Sequence, residues 1–206
     1  MLNTGPSDAR GVATRERLVR AAIETLKTVG FAGASARAIA ARAECNQALV
    51  FYHFGTVPKL LLAALEAVSE ERMVQYRAAV EGVTGLADLV PVAASIYRED
   101  LASGHMTVLA ELIAGSASTP GLAAEISRSL EPWTQFTEDV VRRLLPDQVG
   151  GLVDPADAAY GIVALYLGME MLAHLEGGET PRAEALFSAA GRITGLLAAL
   201  FPAPAP

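Results

Sequence analysis

Residues 17–65 read RLVRAAIETLKTVGFAGASARAIAARAECNQALVFYHFGTVPKLLLAAL, and this stretch decides the fold. Apolar residues recur every three or four positions from Leu18 to Val29, which is the spacing of one helical face. The first helix is predicted to start near Thr14, and Gly30 is a candidate C-cap for it. The stretch therefore opens with an amphipathic helix.

Two short helices follow in the same stretch. Ser35 is a plausible N-cap for one of about residues 35–42, and Asn46 for another of about 46–53. Such a pair joined by a tight turn is the layout of a helix-turn-helix, whose second helix enters the DNA major groove. Periodicity alone makes this one of several short helix pairs in the chain.

The rest of the chain also has helical periodicity. Thr56 and Pro58 predict the start of a long fourth helix, since proline is tolerated in a first turn. Breaks rich in Gly and Pro separate five later segments. No run of alternating β-branched residues occurs, so we expect an all-α protein of about nine helices. The later helices are predicted at about 86–103, 105–115, 120–145, 155–176 and 181–201.

Composition excludes several classes of protein. The chain has 206 residues, of which 52% are hydrophobic and 19% charged, so it is too apolar to be disordered. A single cysteine, Cys45, excludes an intramolecular disulfide framework, a four-cysteine zinc site and a CxxC pair. The longest uncharged apolar stretch, 158–169, is shorter than the ~20 residues of a membrane span. With no signal-peptide pattern at the N-terminus, a soluble cytoplasmic protein is expected.

Positive and negative charges are distributed unevenly along the chain. The net charge is −7, but residues 1–60 hold eight Lys and Arg against four Asp and Glu, while the remainder is strongly acidic. A basic head on an acidic body suggests a polyanion-binding module joined to a part with another task.

Catalytic motifs are absent from the sequence. No GxSxG, GxGxxG or GxxxxGK[ST] pattern occurs, and His53, His105 and His174 lack the spacing of a metal site. We therefore expect neither an enzyme nor a bound metal or cofactor.

The stretch 17–65 resembles the N-terminal domain of the TetR family of bacterial transcriptional regulators. The likeness rests on the Ala21–Ala22 pair, the Gly30–Phe31 step, Ser35 before Ile39–Ala40, and the aromatic end Phe51–Phe54. The resemblance implies a three-helix DNA-binding domain and a helical ligand-binding and dimerisation domain. We expect a flexible arm in 1–12, the helix-turn-helix in 13–56, and the second domain in 57–206.

By this resemblance the protein is a ligand-responsive regulator, most often a repressor, that binds a palindromic operator as a homodimer. Its partners are then operator DNA, a largely apolar small molecule and a second copy of the chain, with no membrane. Three departures from the family pattern, Glu44, Phe51 and Val57, keep an alternative open. In that alternative the chain is a helical small-molecule carrier whose head no longer binds DNA.

The resemblance also assigns DNA contacts. Gln47 is expected to read a base, since its amide can pair bidentately with adenine, and Lys59 to contact phosphate. Leu49 either faces the groove or belongs to the core, and His53 either contacts phosphate or is packed. Arg10 and Arg15 either reach DNA from the arm or are disordered. The expected DNA-binding residues are Arg37, Asn46, Gln47, Ala48, Leu49, Tyr52, His53 and Lys59.

The ligand pocket is expected among the helices between residues 86 and 176. Glu170 is unusual because it ends an apolar run between Met169 and Met171; if buried, it needs a partner, such as a cationic ligand, and otherwise it is solvated. Glu111 is a similar, weaker case. For each other candidate, plain core packing is the competing interpretation. The pocket candidates are Tyr97, Met106, Trp133, Phe136, Tyr166, Met169 and Glu170. The last two helices, 156–176 and 182–201, are expected to form the dimer interface.

Overall fold

A computed structural model of the chain describes residues 6–145, 153–177 and 181–200, and within these ranges every regular element is a helix. The all-α prediction is thereby confirmed, and most predicted helix ends lie within two residues of the observed ones. The helices are α1 (Pro6–Gly33), α2 (Ala36–Arg42), α3 (Ala48–Phe54), α4 (Val57–Val80), α5 (Leu86–Ser103), α6 (His105–Ser116), α7 (Leu122–Leu144), α8 (Pro155–Leu175) and α9 (Pro181–Leu200).

The first helix starts earlier than predicted. It begins at Pro6, so residues 6–12, expected to be a flexible arm, are helical. The reason is that proline is favoured in a first helical turn, where its missing N–H has no intrahelical partner to lose. Residues 1–5 of the expected arm lie outside the described residues.

Gly30 bends α1 close to its end. Its φ of 69° and ψ of −178° are non-helical, and one more short turn follows before Gly33. A side chain is strained at such a φ, so glycine is required at this bend. Gly30 therefore interrupts the helix where a C-cap was predicted, although the helix resumes beyond it.

Local side chains fix the ends of the short helices. The Ser35 hydroxyl accepts a hydrogen bond from the Ala38 N–H at 3.2 Å, and the Asn46 side chain accepts one from the Ala48 N–H at 2.9 Å. The Thr56 hydroxyl accepts from the Lys59 N–H at 3.3 Å at the start of α4. The predicted starts at Ser35 and Thr56 are confirmed, because each side chain satisfies an amide with no partner inside its helix. Helix α3 starts later than predicted: its N-cap position is Gln47, without a side-chain cap bond, and Asn46 bonds to Ala48 from one position further out.

The chain divides into two compact units. One comprises residues 1–70 and 107–129, and the other residues 71–106 and 130–206. The unit boundaries fall within helices α4, α6 and α7. The predicted functional boundary between residues 56 and 57 lies inside the first unit and stays a prediction.

In the second unit, α5 packs against α9 and α8. A separate apolar cluster joins the end of α4 to α7 through Val80, Val83, Val140 and Leu144. Arg143 of α7 donates a 2.9 Å hydrogen bond to the carbonyl of Val80. That bond satisfies a carbonyl that the end of α4 leaves without an intrahelical partner.

Helices α8 and α9 are both apolar and largely uncovered. By length and composition alone each could cross a membrane, and α3 with α4 would add a third span if that bent pair were taken as one. In α8 only 17% of the 18-residue apolar window is buried within the protein, and in α9 only 6%. Both helices therefore offer apolar faces that this single chain does not cover.

Candidate DNA-binding surface and ligand site

Helix α3 buries one face and exposes the other. Val50 and Phe54 are buried, whereas Gln47 and Ala48 are exposed and Tyr52 is 81% exposed. Asn46, just before the helix, is exposed, and Leu49 is half-buried. The residues predicted to contact DNA thus form one accessible surface at the start of α3 and along its outer side.

Basic side chains flank this surface. Arg37 of α2 and Lys59 of α4 are both exposed. Arg42 donates a hydrogen bond to the Thr28 hydroxyl at 3.0 Å, and the Arg15 guanidinium lies 5.1 Å from the centre of the Phe54 ring. Arg15 therefore lies on helix α1 against the end of α3. Its proposed contact with DNA stays a prediction.

His53 is half-buried at the end of α3. Its ring lies edge-on to Tyr52 at 4.9 Å and to Phe54 at 6.4 Å between ring centres. These contacts favour the packed alternative for His53, while leaving part of the ring accessible.

A carboxylate of α6 holds the bend of α1. The Phe31 N–H donates a 2.7 Å hydrogen bond to Oε2 of Glu111. A Cβ at Gly30 would lie only 2.7 Å from the same oxygen, and one at Gly115 only 2.4 Å from the Phe31 ring. Glu111, considered in the sequence as a buried acid in need of a partner, therefore has one in the backbone of α1.

The second unit encloses a polar cluster. Arg72 of α4 forms a buried ion pair with Asp100 of α5. The hydroxyls of Tyr76 and Tyr166 both donate to Oδ2 of Asp100, the latter at 2.6 Å, and their oxygens lie 2.8 Å apart. Burial first, and then the charge of Asp100, raises the pKa of Tyr76 well above its usual range. Both tyrosines therefore stay neutral donors.

Aromatic rings surround this cluster. Tyr76 meets Trp133 edge-on at 4.9 Å and Phe136 at 6.2 Å between ring centres. Tyr97 meets Tyr166 at 5.7 Å, and the Tyr97 hydroxyl donates to the carbonyl of Met169 at 3.1 Å. The structure thus brings together most of the predicted pocket residues.

Glu170 is the acid of this cluster that lacks a hydrogen bond. It is 1% exposed, and neither carboxylate oxygen has a hydrogen-bond partner among the described residues. Burial, followed by the nearby negative charge of Asp100, raises the pKa of Glu170 to about 8. The Tyr166 hydroxyl lies near enough to Glu170 to lower that pKa, as does the positive charge of Arg72, but both do so only in part, since this hydroxyl is bonded to Asp100. Of the two alternatives that the sequence left open for Glu170, buried or solvated, the structure shows the buried one.

Sequence reasoning missed Arg72, Tyr76 and Asp100. A signal was present, because Arg72 and Tyr76 continue the helical spacing of Leu65 and Val68 on the inner side of α4. Which distant acid would pair with Arg72 could not be deduced from that spacing. Met106 is half-buried in the first turn of α6, and its place in the pocket stays a prediction.

A cleft of about 230 Å³ lies between α4 and α5. Arg72 and Tyr76 line it from α4, and Ser95 and Glu99 from α5. None of the seven predicted pocket residues lines this cleft, although two residues that do, Arg72 and Tyr76, belong to the polar cluster. In the ranges 6–145, 153–177 and 181–200, no group of three His, Cys, Asp or Glu residues could hold a metal ion.

Comparison with known proteins identifies the family. The model of the family described as bacterial regulatory proteins, tetR family, matches residues 18–64. An HTH-type transcriptional regulator of Mycobacterium tuberculosis, itself uncharacterized, is 27% identical over 90% of this chain and 93% of its own.

Solved structures show the same fold. A putative TetR-family transcriptional regulator from Rhodococcus sp. aligns with a TM-score of 0.72 at 18% identity, over 88% of this chain and 98% of its own. The multidrug binding protein EbrR, solved with imidazole, aligns with a TM-score of 0.62 at 23% identity, over 93% of this chain and 96% of its own.

These relatives decide between the functional alternatives of the sequence. The matched family and the mycobacterial relative are regulatory proteins, and the match includes the helix-turn-helix. The chain is therefore a DNA-binding regulator and not an enzyme, and the carrier alternative is not favoured.

Proposed function

We propose, since the chain belongs to the TetR family of bacterial transcriptional regulators, that it is a cytoplasmic repressor that binds a palindromic operator as a homodimer and leaves it on binding a small molecule. The observation that carries this proposal is the exposure of α3. Its outer face, with Gln47 and Tyr52, is accessible while its inner face is buried.

The exposed face of α3 fits the DNA major groove. A recognition helix contacts base edges mainly through its N-terminal residues, and here these are Asn46, Gln47 and Ala48. Gln47 supplies the amide that reads adenine, and Arg37 and Lys59 supply positive charge for phosphates. The excess of basic residues in 1–60 supports the same orientation of the head toward DNA.

Helices α8 and α9 support the proposed homodimer. Their exposed side chains are too apolar to face water over two whole helices, and a second copy of the chain would cover them. We infer that a dimer, rather than a membrane, covers these faces, because the family consists of DNA-binding regulators. The exposed apolar residues are Tyr160, Ile162, Leu165, Met171, Leu172, Leu175, Leu186, Ile193, Leu196 and Leu200.

The aromatic cluster of the second unit supports the proposed ligand response. A mostly apolar site with a few polar groups is typical of small-molecule binding. EbrR, which shares the fold, is a multidrug binding protein solved with imidazole, and this favours a similar role for the second unit here. A small molecule can change operator binding only if its affinity differs between the DNA-bound and DNA-free states of the protein. Such a difference is commonly worth ~1–3 kcal/mol.

Two measurements test the proposal. Selection from random DNA should yield a palindrome whose half-sites are about one helical turn, ~34 Å, apart. Compounds that release this DNA should change the emission of Trp133, the single tryptophan, at the same concentration. Recovery of no enriched sequence would contradict the operator, and release without a change in emission would place the ligand away from Trp133.

A further inference from the structure

An ionised Glu170 has no counter-charge in the buried cluster. Arg72 is paired with Asp100, and the tyrosine hydroxyls of Tyr76 and Tyr166 are directed to the same carboxylate. Glu170, on α8, is as deeply buried as the core but has no hydrogen bond to either oxygen among the described residues. An ionised carboxylate without a partner is costly to bury, and the two nearby donors, Tyr166 and Arg72, are already bonded to Asp100.

The surroundings of Glu170 favour a cation as its missing partner. The charge of Glu170 acts on Tyr76, Tyr97 and Tyr166, which stay neutral, and the faces of these rings attract positive charge, as does that of Trp133 beside Tyr76. Two free oxygens on one carboxylate match two parallel N–H donors, the arrangement of an amidinium or guanidinium. Another acid at this place would only increase the repulsion from Asp100.

We propose that Glu170 is the anchor of the effector site and that the effector is an organic monocation, an amidine or amine with at least two N–H donors and an aromatic or apolar body. The cation pairs with the Glu170 carboxylate, and its body packs among the rings of Tyr76, Tyr97 and Trp133. This inference rests on the proposed ligand response, and it refines the expectation of a largely apolar effector.

Benzamidine and benzamide provide a direct test. They have nearly the same shape, but benzamidine is a cation at neutral pH and benzamide is uncharged. Calorimetry with the full chain should show benzamidine binding at least ~10-fold more tightly than benzamide, the usual gain of a charge-assisted hydrogen bond. Glu170→Gln should abolish this preference, and the control Glu81→Gln, which removes an exposed carboxylate, should keep it.

The pH dependence of benzamidine affinity separates binding through Glu170 from nonspecific binding. Benzamidine stays charged between pH 6 and 9, so its affinity should rise ~10-fold per pH unit below pH 8, as Glu170 ionises, and level off above it. In Glu170→Gln the profile should be flat, which isolates this titration from the other groups near the carboxylate. Those groups are Arg72, Tyr76, Tyr97, Asp100 and Tyr166.

Equal affinity for benzamidine and benzamide in the wild-type chain, or an undiminished preference in Glu170→Gln, would overturn the proposal. Operator binding, measured separately, distinguishes this failure from failure of the proposed function. A chain that binds operator but shows no cation preference keeps its regulatory function and loses the assigned effector class. If benzamidine binds through Glu170 but does not release operator DNA, the cation site exists and the proposed ligand response is contradicted.

Discussion

Gln47 and Lys59 represent two different kinds of DNA contact. Gln47 lies exposed just before α3, where a base edge is expected, and Lys59 lies exposed in the first turn of α4, where only phosphate is expected. Gln47→Ala should reduce the free energy of operator binding by ~1–3 kcal/mol and that of binding to random DNA only slightly. The measurement is the ratio of the two affinities at one salt concentration. Equal loss on both DNAs would contradict base reading.

Lys59→Ala should weaken binding to all DNA sequences equally. Each lost phosphate contact reduces the slope of log affinity against log salt by ~1, and a dimer loses two such contacts. Titrations of operator and random DNA between low and moderate salt measure this slope. Glu66→Ala, an exposed change further along α4, serves as the control. An unchanged slope would assign the phosphate contact to another side chain, with Arg37 the next to test.

Glu170 also predicts how stability depends on pH. Its pKa is raised from about 4.5 to about 8 in the folded chain, so the unfolded chain loses this proton at a lower pH. The free energy of unfolding therefore falls as pH rises from about 4.5 to 8, by at most ~1.4 kcal/mol per unit. Glu170→Gln removes this term, so its stability relative to wild type should grow over the same range. Urea unfolding at pH 5, 6.5 and 8 measures the difference; a constant difference would place the carboxylate in contact with water.

Among the helices, the bond between α6 and the bend of α1 depends on one side chain. Glu111→Ala leaves the Phe31 N–H without its acceptor and should cost ~1–3 kcal/mol, whereas Glu111→Gln keeps an acceptor oxygen and should cost less. Hydrogen exchange at the Phe31 amide should accelerate in Glu111→Ala only. Glu131→Ala, an exposed change on α7, is the matched control. Unchanged exchange in Glu111→Ala would show that burial alone protects this amide.

The same helices show how far sequence reasoning reaches. Ser35 and Asn46 were identifiable near helix starts because each bonds to an amide two or three residues away, so the evidence is local. The partner of Arg72 was not identifiable, because Asp100 lies on another helix and spacing does not set which helices meet. The early start of α1 was missed because polar residues after Pro6 carry no apolar period.

For the whole molecule, the decisive question is what covers α8 and α9. If two copies meet there, two-fold symmetry places every interface residue in the contact twice. Leu172, 59% exposed on α8, would then lie against the partner, while Val74, 68% exposed on α4, would stay in water. A two-fold dimer carries two α3 helices, and a palindromic operator offers one half-site to each.

Leu172→Glu should therefore convert the dimer to a monomer, and Val74→Glu should not. Burying two unpaired carboxylates in one interface costs several kcal/mol, which corresponds to a rise of at least ~100-fold in the dimer dissociation constant. Sedimentation at micromolar concentration measures the mass of each variant. The monomer should also bind operator more weakly, since each head then binds its half-site alone, while its helicity stays unchanged. If Leu172→Glu sediments as a dimer, the interface lies on another surface, and the apolar faces of α8 and α9 need a different partner.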